Sequence, residues 1–155
     1  MEHCQEQSSI ELWSCRLKAL LYDRSVVTPE SLAASAFMDS TPKAKETAKR
    51  VTDEVTRQAA LVEAEMKYEA YRRIEVDGVL QMPVLLYWGK NDPSALPVQA
   101  EELFNLIAET NPYARLQFIN HAGHFPYLEH PEEFAHTVTS FIEYWSGPGA
   151  GKLQQ

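Results

Sequence analysis

The sequence predicts an α/β fold in which a strand–helix–strand–helix portion follows a helical first half. A short continuous apolar run at 84–88 and a second strand-like segment at 114–119 flank a segment whose apolar residues recur at helical spacing. Runs that are apolar on both faces are typical of buried parallel strands. Because a helix joins them, we expect a right-handed β–α–β unit, and the apolar pattern after Pro131 predicts a last helix.

The first half carries three helix starts. Ser8 and Glu11 have the spacing of a capping box, and a threonine followed by a proline opens further helices at Thr28 and Thr41. After Thr41, apolar residues every three or four positions predict one long helix that ends near Arg73. We therefore expect four segments: a disordered N-terminus at 1–7, a helical cap or lid segment at 8–75, the strand–helix–strand–helix portion at 76–146 and a flexible tail at 147–155.

Composition excludes several classes of function. The chain has 155 residues, 45% of them hydrophobic, and a net charge of −8 that is concentrated in the second half. Such a surface would repel nucleic-acid phosphates, so we expect no nucleic-acid partner. No apolar run approaches the roughly 18 residues that a membrane span requires, and the polar first residues lack a signal-peptide core. Since Cys4 and Cys15 are expected to be reduced, we predict a cytoplasmic protein that does not associate with a membrane.

Two polar side chains follow the two predicted strands. Asp92 lies in the loop after the first strand, and His124 lies in the loop after the second. Parallel strands present their carboxyl ends at one edge of a sheet, where open α/β sheets bind ligands. There an aspartate can accept a hydrogen bond from Nδ1–H of the imidazole and leave Nε2 free to take a proton. The alternative is that Asp92 bonds only the backbone of its own turn and that His124 is an ordinary loop residue.

The two loops resemble those of the α/β-hydrolase superfamily. The run from Pro83 to Asp92 is similar to the pattern P-V-L-x-x-W-G-x-x-D, whose last aspartate is the acid of the family's catalytic triad. Gly123-His124 is similar to the pattern that holds the base of the triad, and the sequence that follows, beginning at Glu129, resembles the family as well. The resemblance implies that Asp92 is the acid and that His124 is the base.

For the fold, the resemblance implies the C-terminal part of an α/β-hydrolase, with a helical cap ahead of the last two strands. More weakly, residues 16–34 resemble the cap of hydrolases that cleave carbon–carbon bonds in ring-fission products. Next to the base, Phe125 is expected to contact the substrate. One part of the family pattern is missing, because no glycine pair frames a serine, cysteine or aspartate as in the G-x-S-x-G elbow that holds the nucleophile.

Three functions remain open at this point. In the first, the chain is part of a hydrolase that acts on esters or carbon–carbon bonds of small carbonyl compounds when a complementary chain brings the nucleophile. In the second, Asp92 and His124 alone transfer protons, as in an isomerase or a cyclase. In the third, the chain is a non-catalytic remnant that binds a partner protein or an apolar small molecule.

The expected partners follow from the incomplete sheet. A two-stranded parallel sheet has open edges and apolar faces, which we expect the cap helices, a second copy of the chain or a separate protein to cover. The expected ligand is small, hydrophobic and carbonyl-containing. The histidines of the second half lack the spacing of a zinc site, so we expect no metal and no other cofactor.

Overall fold

A computed structural model describes residues 4, 8–52 and 54–147 of the chain, and for 51, 52 and 54–64 it describes the backbone alone. The described residues form two compact units. One contains Val27–Val79 and the chain before Leu20, and the other contains Leu20–Val26 and the chain from Leu80 onward. The segments predicted to be a disordered N-terminus and a flexible tail lie outside the described residues, except for Cys4 and Gly147.

Helices fill the first half of the chain, as the sequence predicts. They are α1 Ser9–Leu20, α2 Pro29–Ser40, α3 Pro42–Thr52 and α4 Glu54–Glu75, with a 3₁₀ turn at Arg24–Val26. The single long helix predicted after Thr41 corresponds to α3 and α4 together, and Asp53 between them lies outside the described residues. The predicted helical character of this segment is confirmed on both sides of that residue.

At Thr41, Oγ1 accepts the N–H of Ala44 at 3.2 Å, and the other two predicted helix starts carry their caps as well. The backbone N–H and the hydroxyl of Ser8 both donate to Glu11 Oε2, at 2.9 and 2.8 Å. The N–H of Ser31 donates to Thr28 Oγ1 at 3.2 Å, and the N–H of Thr28 donates to Ser31 Oγ at 3.1 Å. Such bonds satisfy polar groups that a helix end leaves unpaired, which explains why local sequence is enough to place these starts.

The two cysteines form a disulfide, Cys4–Cys15. Their Cα atoms lie 5.8 Å apart, within the range that a bridge requires. The expectation of two reduced cysteines is therefore wrong, because composition counts thiols without showing which of them meet in space. The cytoplasmic location, which depends partly on reduced thiols, stays a prediction. Within the described residues, no helix is long and apolar enough to cross a membrane.

The second unit has the predicted strand–helix–strand–helix order. Its elements are β1 Val84–Gly89, α5 Pro97–Ala108, β2 Ala114–Ile119, α6 Pro126–Glu129 and α7 Pro131–Ser146. The two strands pair in parallel, with Val84 opposite Ala114 and Gly89 opposite Ile119. The sequence predicts a loop where α6 lies, because a helix of one turn is too short to show a periodic apolar pattern.

The hydrophobic core of this unit is small. The buried hydrophobic residues of the described chain are Leu21, Ala100, Ile107, Ile119 and Ala122. The residues of β1 before Gly89 are only half-buried, although the sequence predicts a buried strand. The physical reason is that β2 is the one strand paired with β1 within the described residues, so the other edge of β1 is open there.

Two glycines allow the loops at the strand ends to approach closely. A Cβ atom at Gly89 would overlap the carbonyl oxygen of Gly123 and lie 2.6 Å from that of Ala122. A Cβ atom at Gly123 would overlap the carbonyl oxygen of Leu20 and lie 2.8 Å from the backbone nitrogen of Tyr22. Neither position can accept a side chain unless the neighbouring backbone moves.

We expect Gly89→Ala to lower the free energy of unfolding by about 2 kcal/mol or more, because overpacking of a tight site costs about 1–3 kcal/mol and here the obstacle is backbone. The matched control is Gly147→Ala, where φ is −71° and the new Cβ would lie 3.1 Å from Glu143 O. That change should stay within about 0.5 kcal/mol of wild type. Urea unfolding followed by circular dichroism measures both, and equal midpoints for Gly89→Ala and wild type would contradict the constraint.

Candidate active site

The loops after β1 and β2 are bonded to each other where they leave the sheet. The N–H of Lys90 donates to Ile119 O at 2.8 Å, and the N–H of Asn91 donates to Ala122 O at 2.9 Å. These bonds extend the backbone pairing past the end of β1. The residues that come next in the two loops are therefore held close together.

Asp92 is buried, and its two carboxylate oxygens have different partners. The residue is 6% exposed. Oδ1 accepts the N–H of Ser94 at 2.8 Å, the hydroxyl of Ser94 at 2.9 Å and the N–H of Ala95 at 2.9 Å. Oδ2 lies 2.8 Å from Nδ1 of His124. One oxygen thus organises the local turn, while the other contacts the residue that the sequence predicts as the base.

His124 is held by its backbone, by Asp92 and by a neighbouring ring. Its N–H donates to Leu20 O at 2.8 Å, and its ring packs edge-on against Phe125 with centroids 4.9 Å apart. Because an ionised carboxylate can only accept, Nδ1 carries the proton in the bond to Asp92, and in the neutral form of the imidazole the lone pair is then on Nε2. The side chain of His124 is 39% exposed and that of Asp92 is 5% exposed, so a buried carboxylate lies behind an accessible imidazole.

Ser94 completes this cluster, and the sequence reading did not single it out. Its hydroxyl donates to Asp92 Oδ1, and its oxygen lies 3.0 Å from His124 Nδ1. Since the one hydroxyl proton is used on Asp92, the oxygen faces the Nδ1 proton as an acceptor. Ser94 therefore supports the same tautomer of His124. The signal that could have indicated it is the turn in which an aspartate bonds the backbone two residues on.

The pKa of Asp92 is lowered in the folded chain. Burial alone raises this pKa, since it disfavours the charged carboxylate. Hydrogen bonds from the N–H groups of Ala95 and Ser94, from His124 and from the Ser94 hydroxyl together more than offset burial. The carboxylate is therefore ionised at neutral pH, and it can stabilise the imidazolium that forms when Nε2 takes a proton.

A cavity of about 180 Å³ opens beside the pair formed by Asp92 and His124. Tyr87, Trp88 and Pro126 contribute to its lining, together with the pair itself. Phe125, which the sequence predicts as a substrate contact, packs on the ring of His124 and is not among the residues that line this cavity. The structure thus brings Asp92 and His124 together and places Phe125 next to His124.

The hydroxyl of Tyr87 is buried and has no hydrogen-bond partner within the described residues. Burial raises the pKa of Tyr87, and the charge of Glu133 raises it further. The phenol therefore stays protonated at neutral pH and can donate a hydrogen bond. The sequence marks Tyr87 only as a strand residue, because an unpaired hydroxyl becomes visible only when its surroundings are known.

The chemistry that this arrangement offers is proton transfer at Nε2 of His124. The nearby Ser94 touches Nδ1, which lies on the other side of the imidazole, so it is not placed to be activated as a nucleophile by this base. In the part of the chain that the structure describes, no group of three or more histidine, cysteine, aspartate or glutamate side chains could hold a metal ion.

Fold and site together define an α/β protein whose parallel strands end in a paired aspartate and histidine, with helices ahead of the strands. A family model described as "Alpha/beta hydrolase family" matches residues 11–137. The chain belongs to the α/β-hydrolase family.

A solved structure resembles the chain over most of its length. It is the crystal structure of a serine hydrolase involved in carbazole degradation, the CarC enzyme, with a TM-score of 0.57 and 23% sequence identity. The match covers 88% of this chain and 48% of that one, so the chain spans about half the length of that hydrolase. The likeness supports the fold, and with the family match it confirms the predicted class, a helical cap segment followed by part of an α/β-hydrolase core.

We expect Asp92 to stabilise the fold in a pH-dependent way. Because its pKa in the folded chain lies below the ordinary aspartate value of 3.8, the ionised carboxylate contributes stability above that pH. The contribution is lost as the pH falls below 3.8 and through the folded-state pKa. At neutral pH, Asp92→Asn should lower the free energy of unfolding by about 1.5–3 kcal/mol, the range for hydrogen bonds to a charged group.

Urea unfolding at neutral pH and at a series of acid pH values measures this effect. The difference between wild type and Asp92→Asn should shrink as the pH falls below 3.8. The matched control is Asp77→Asn, which removes an exposed ion pair with Arg72 and should cost less than about 1 kcal/mol. A difference between wild type and Asp92→Asn that is constant with pH would contradict the stabilising role of the charge.

Proposed function

We propose that the chain supplies the acid and the base of a serine-type hydrolase, Asp92 and His124, and that the nucleophile lies on polypeptide outside this sequence. The observation that carries this proposal is the 2.8 Å contact between Asp92 Oδ2 and His124 Nδ1, on loops that follow adjacent parallel strands. In such a pair, Nε2 takes the proton of an attacking hydroxyl and returns it to the leaving group. The carboxylate holds the imidazole in the required tautomer.

An outside source for the nucleophile is supported by sequence and by length. None of the six glycines takes part in a G-x-S-x-G elbow. Ser94, the serine bonded to the pair, contacts the wrong imidazole nitrogen. The chain spans 48% of the length of the serine hydrolase that it matches, so half of that fold has no counterpart here.

The open edge of β1 is the place where we propose that the missing strands dock. Edge strands carry unpaired N–H and C=O groups that readily pair with another strand. Within the described residues, β1 pairs with β2 alone, and the buried hydroxyl of Tyr87 lacks a partner. Added strands would bury the half-exposed side chains of β1. Self-association through the same edge is the other way to cover it.

For the substrate, we propose a small hydrophobic carbonyl compound that is cleaved at an ester or a carbon–carbon bond. The cavity beside the pair is about 180 Å³, below the roughly 300–1,000 Å³ of most ligand pockets. The remaining wall would come from the docked polypeptide. Carbon–carbon cleavage is suggested by the cap-like sequence at 16–34. Phe125, next to His124, is proposed to contact substrate in the completed pocket.

Complementation tests this function. A reading frame next to this gene that encodes a G-x-S-x-G elbow is expressed separately and mixed with the chain, and hydrolysis of p-nitrophenyl butyrate is followed. We expect the mixture to exceed the sum of the two parts, and a serine-directed fluorophosphonate to label the added polypeptide. His124→Ala should lower kcat on the order of 10⁴-fold or more, as loss of a triad base does.

The matched control is His136→Ala, since His136 is an exposed histidine of α7 and should leave the rate unchanged. Catalysis of enol isomerisation by the chain alone, lost in His124→Ala, would replace this function by that of an acid–base enzyme. An assembled but inactive mixture, in which neither Asp92→Asn nor His124→Ala changes binding, would indicate a non-catalytic remnant. Light scattering on the chain alone reports self-association.

A further inference from the structure

Glu129 bonds two segments that are distant in sequence. It is the last residue of α6, which directly follows the loop 120–125. This loop carries His124 and is called the histidine loop. Its Oε1 accepts the N–H of Asp23 at 2.6 Å, and its Oε2 accepts the N–H of Gly123 at 2.6 Å. Hydrogen bonds to an ionised acceptor are roughly twice as strong as neutral ones. The carboxylate therefore ties Asp23 to the residue directly before His124.

The same two segments meet at three further points. The N–H of His124 donates to Leu20 O at 2.8 Å. The ring of Tyr22 stacks on that of His121, with centroids 5.1 Å apart. At Gly123 the two backbones are so close that a Cβ atom would lie 2.8 Å from the nitrogen of Tyr22. The segment around Tyr22 thus supports the histidine loop directly.

We propose that Glu129 is a positioning residue for His124. Its bond to the N–H of Gly123 fixes the backbone directly before His124, and its bond to the N–H of Asp23 anchors the carboxylate, so that together they fix the direction from which the imidazole meets Asp92. A carboxylate suits this role because both N–H groups are donors and both of its oxygens accept. A glutamine would offer one accepting oxygen, and its NH₂ group would face the other N–H. The catalytic meaning of this role rests on the proposed function.

Nuclear magnetic resonance on the full ¹⁵N-labelled chain tests the role. In wild type we expect a hydrogen-bonded Nδ1–H signal of His124, identified by its absence from His124→Gln. In Glu129→Gln we expect the amides of Gly123 and Asp23 to exchange faster together, by about tenfold or more, as loss of a charged hydrogen bond implies. The Nδ1–H signal should move upfield or disappear as the contact with Asp92 loosens.

The matched control is Glu132→Gln, since Glu132 is an exposed residue in the first turn of α7. It should leave all of these signals unchanged. The amides that pair β1 with β2 are the internal reference. If they accelerate by the same factor as Gly123 in Glu129→Gln, the substitution only destabilises the fold and the positioning role is overturned. An unchanged Nδ1–H signal in that variant overturns it as well.

Failure of this role and failure of the proposed function are distinguishable. The resonance of His124 reports its contact with Asp92 without substrate, nucleophile or partner. If complementation yields no hydrolysis but the signal responds to Glu129→Gln, the hydrolase function fails and the positioning role stands. If hydrolysis is found but the signal does not respond to Glu129→Gln, the positioning role fails and the hydrolase function stands. If the wild-type chain shows no Nδ1–H signal, the contact between His124 and Asp92 is absent, and both the positioning role and the proposed function fail.

Discussion

The arrangement of the site depends on one close contact, the approach of the backbone at Gly89 to the backbone at Gly123. Gly89 is the last residue of β1 and Gly123 lies in the loop after β2, and no side chain fits between them. The contact places the loop of Asp92 against the loop of His124 before any polar interaction is considered. The 2.8 Å hydrogen bond of the pair then needs little further ordering, because both side chains extend from backbone that is already fixed.

Asp92 illustrates how one carboxylate serves structure and chemistry together. Its Oδ1 accepts hydrogen bonds from three donors of its own turn, so the carboxylate has little freedom to rotate. Its Oδ2 is thereby directed at the imidazole. Local bonding and pairing with His124 are alternative interpretations of the sequence, but the structure assigns each of them to a different oxygen. The same local donors hold the pKa of the carboxyl down in spite of its burial.

The features that the sequence predicts well are those with a local or topological cause. The caps at Ser8 and Thr28 depend on residues three positions apart, and the proximity of Asp92 and His124 follows from the rule that parallel strands end at one edge. The missed features depend on contacts between distant positions. Ser94 meets His124 across 30 residues, and Glu129 reaches Asp23 across 106 residues. No periodic pattern encodes such pairs. The disulfide between Cys4 and Cys15 could not be predicted from composition for the same reason.

The division of the chain into two compact units has a consequence for recombination between related genes. The seven residues Leu20–Val26 lie among helices in the sequence but belong to the unit that contains the strands. Leu21 supplies one of the few buried side chains of that unit, and its neighbours bond the histidine loop. Genetic exchange that swapped the whole helical region between relatives would therefore replace part of the support of His124. Productive recombination in this family is expected to spare this short segment or to transfer it together with a compatible histidine loop.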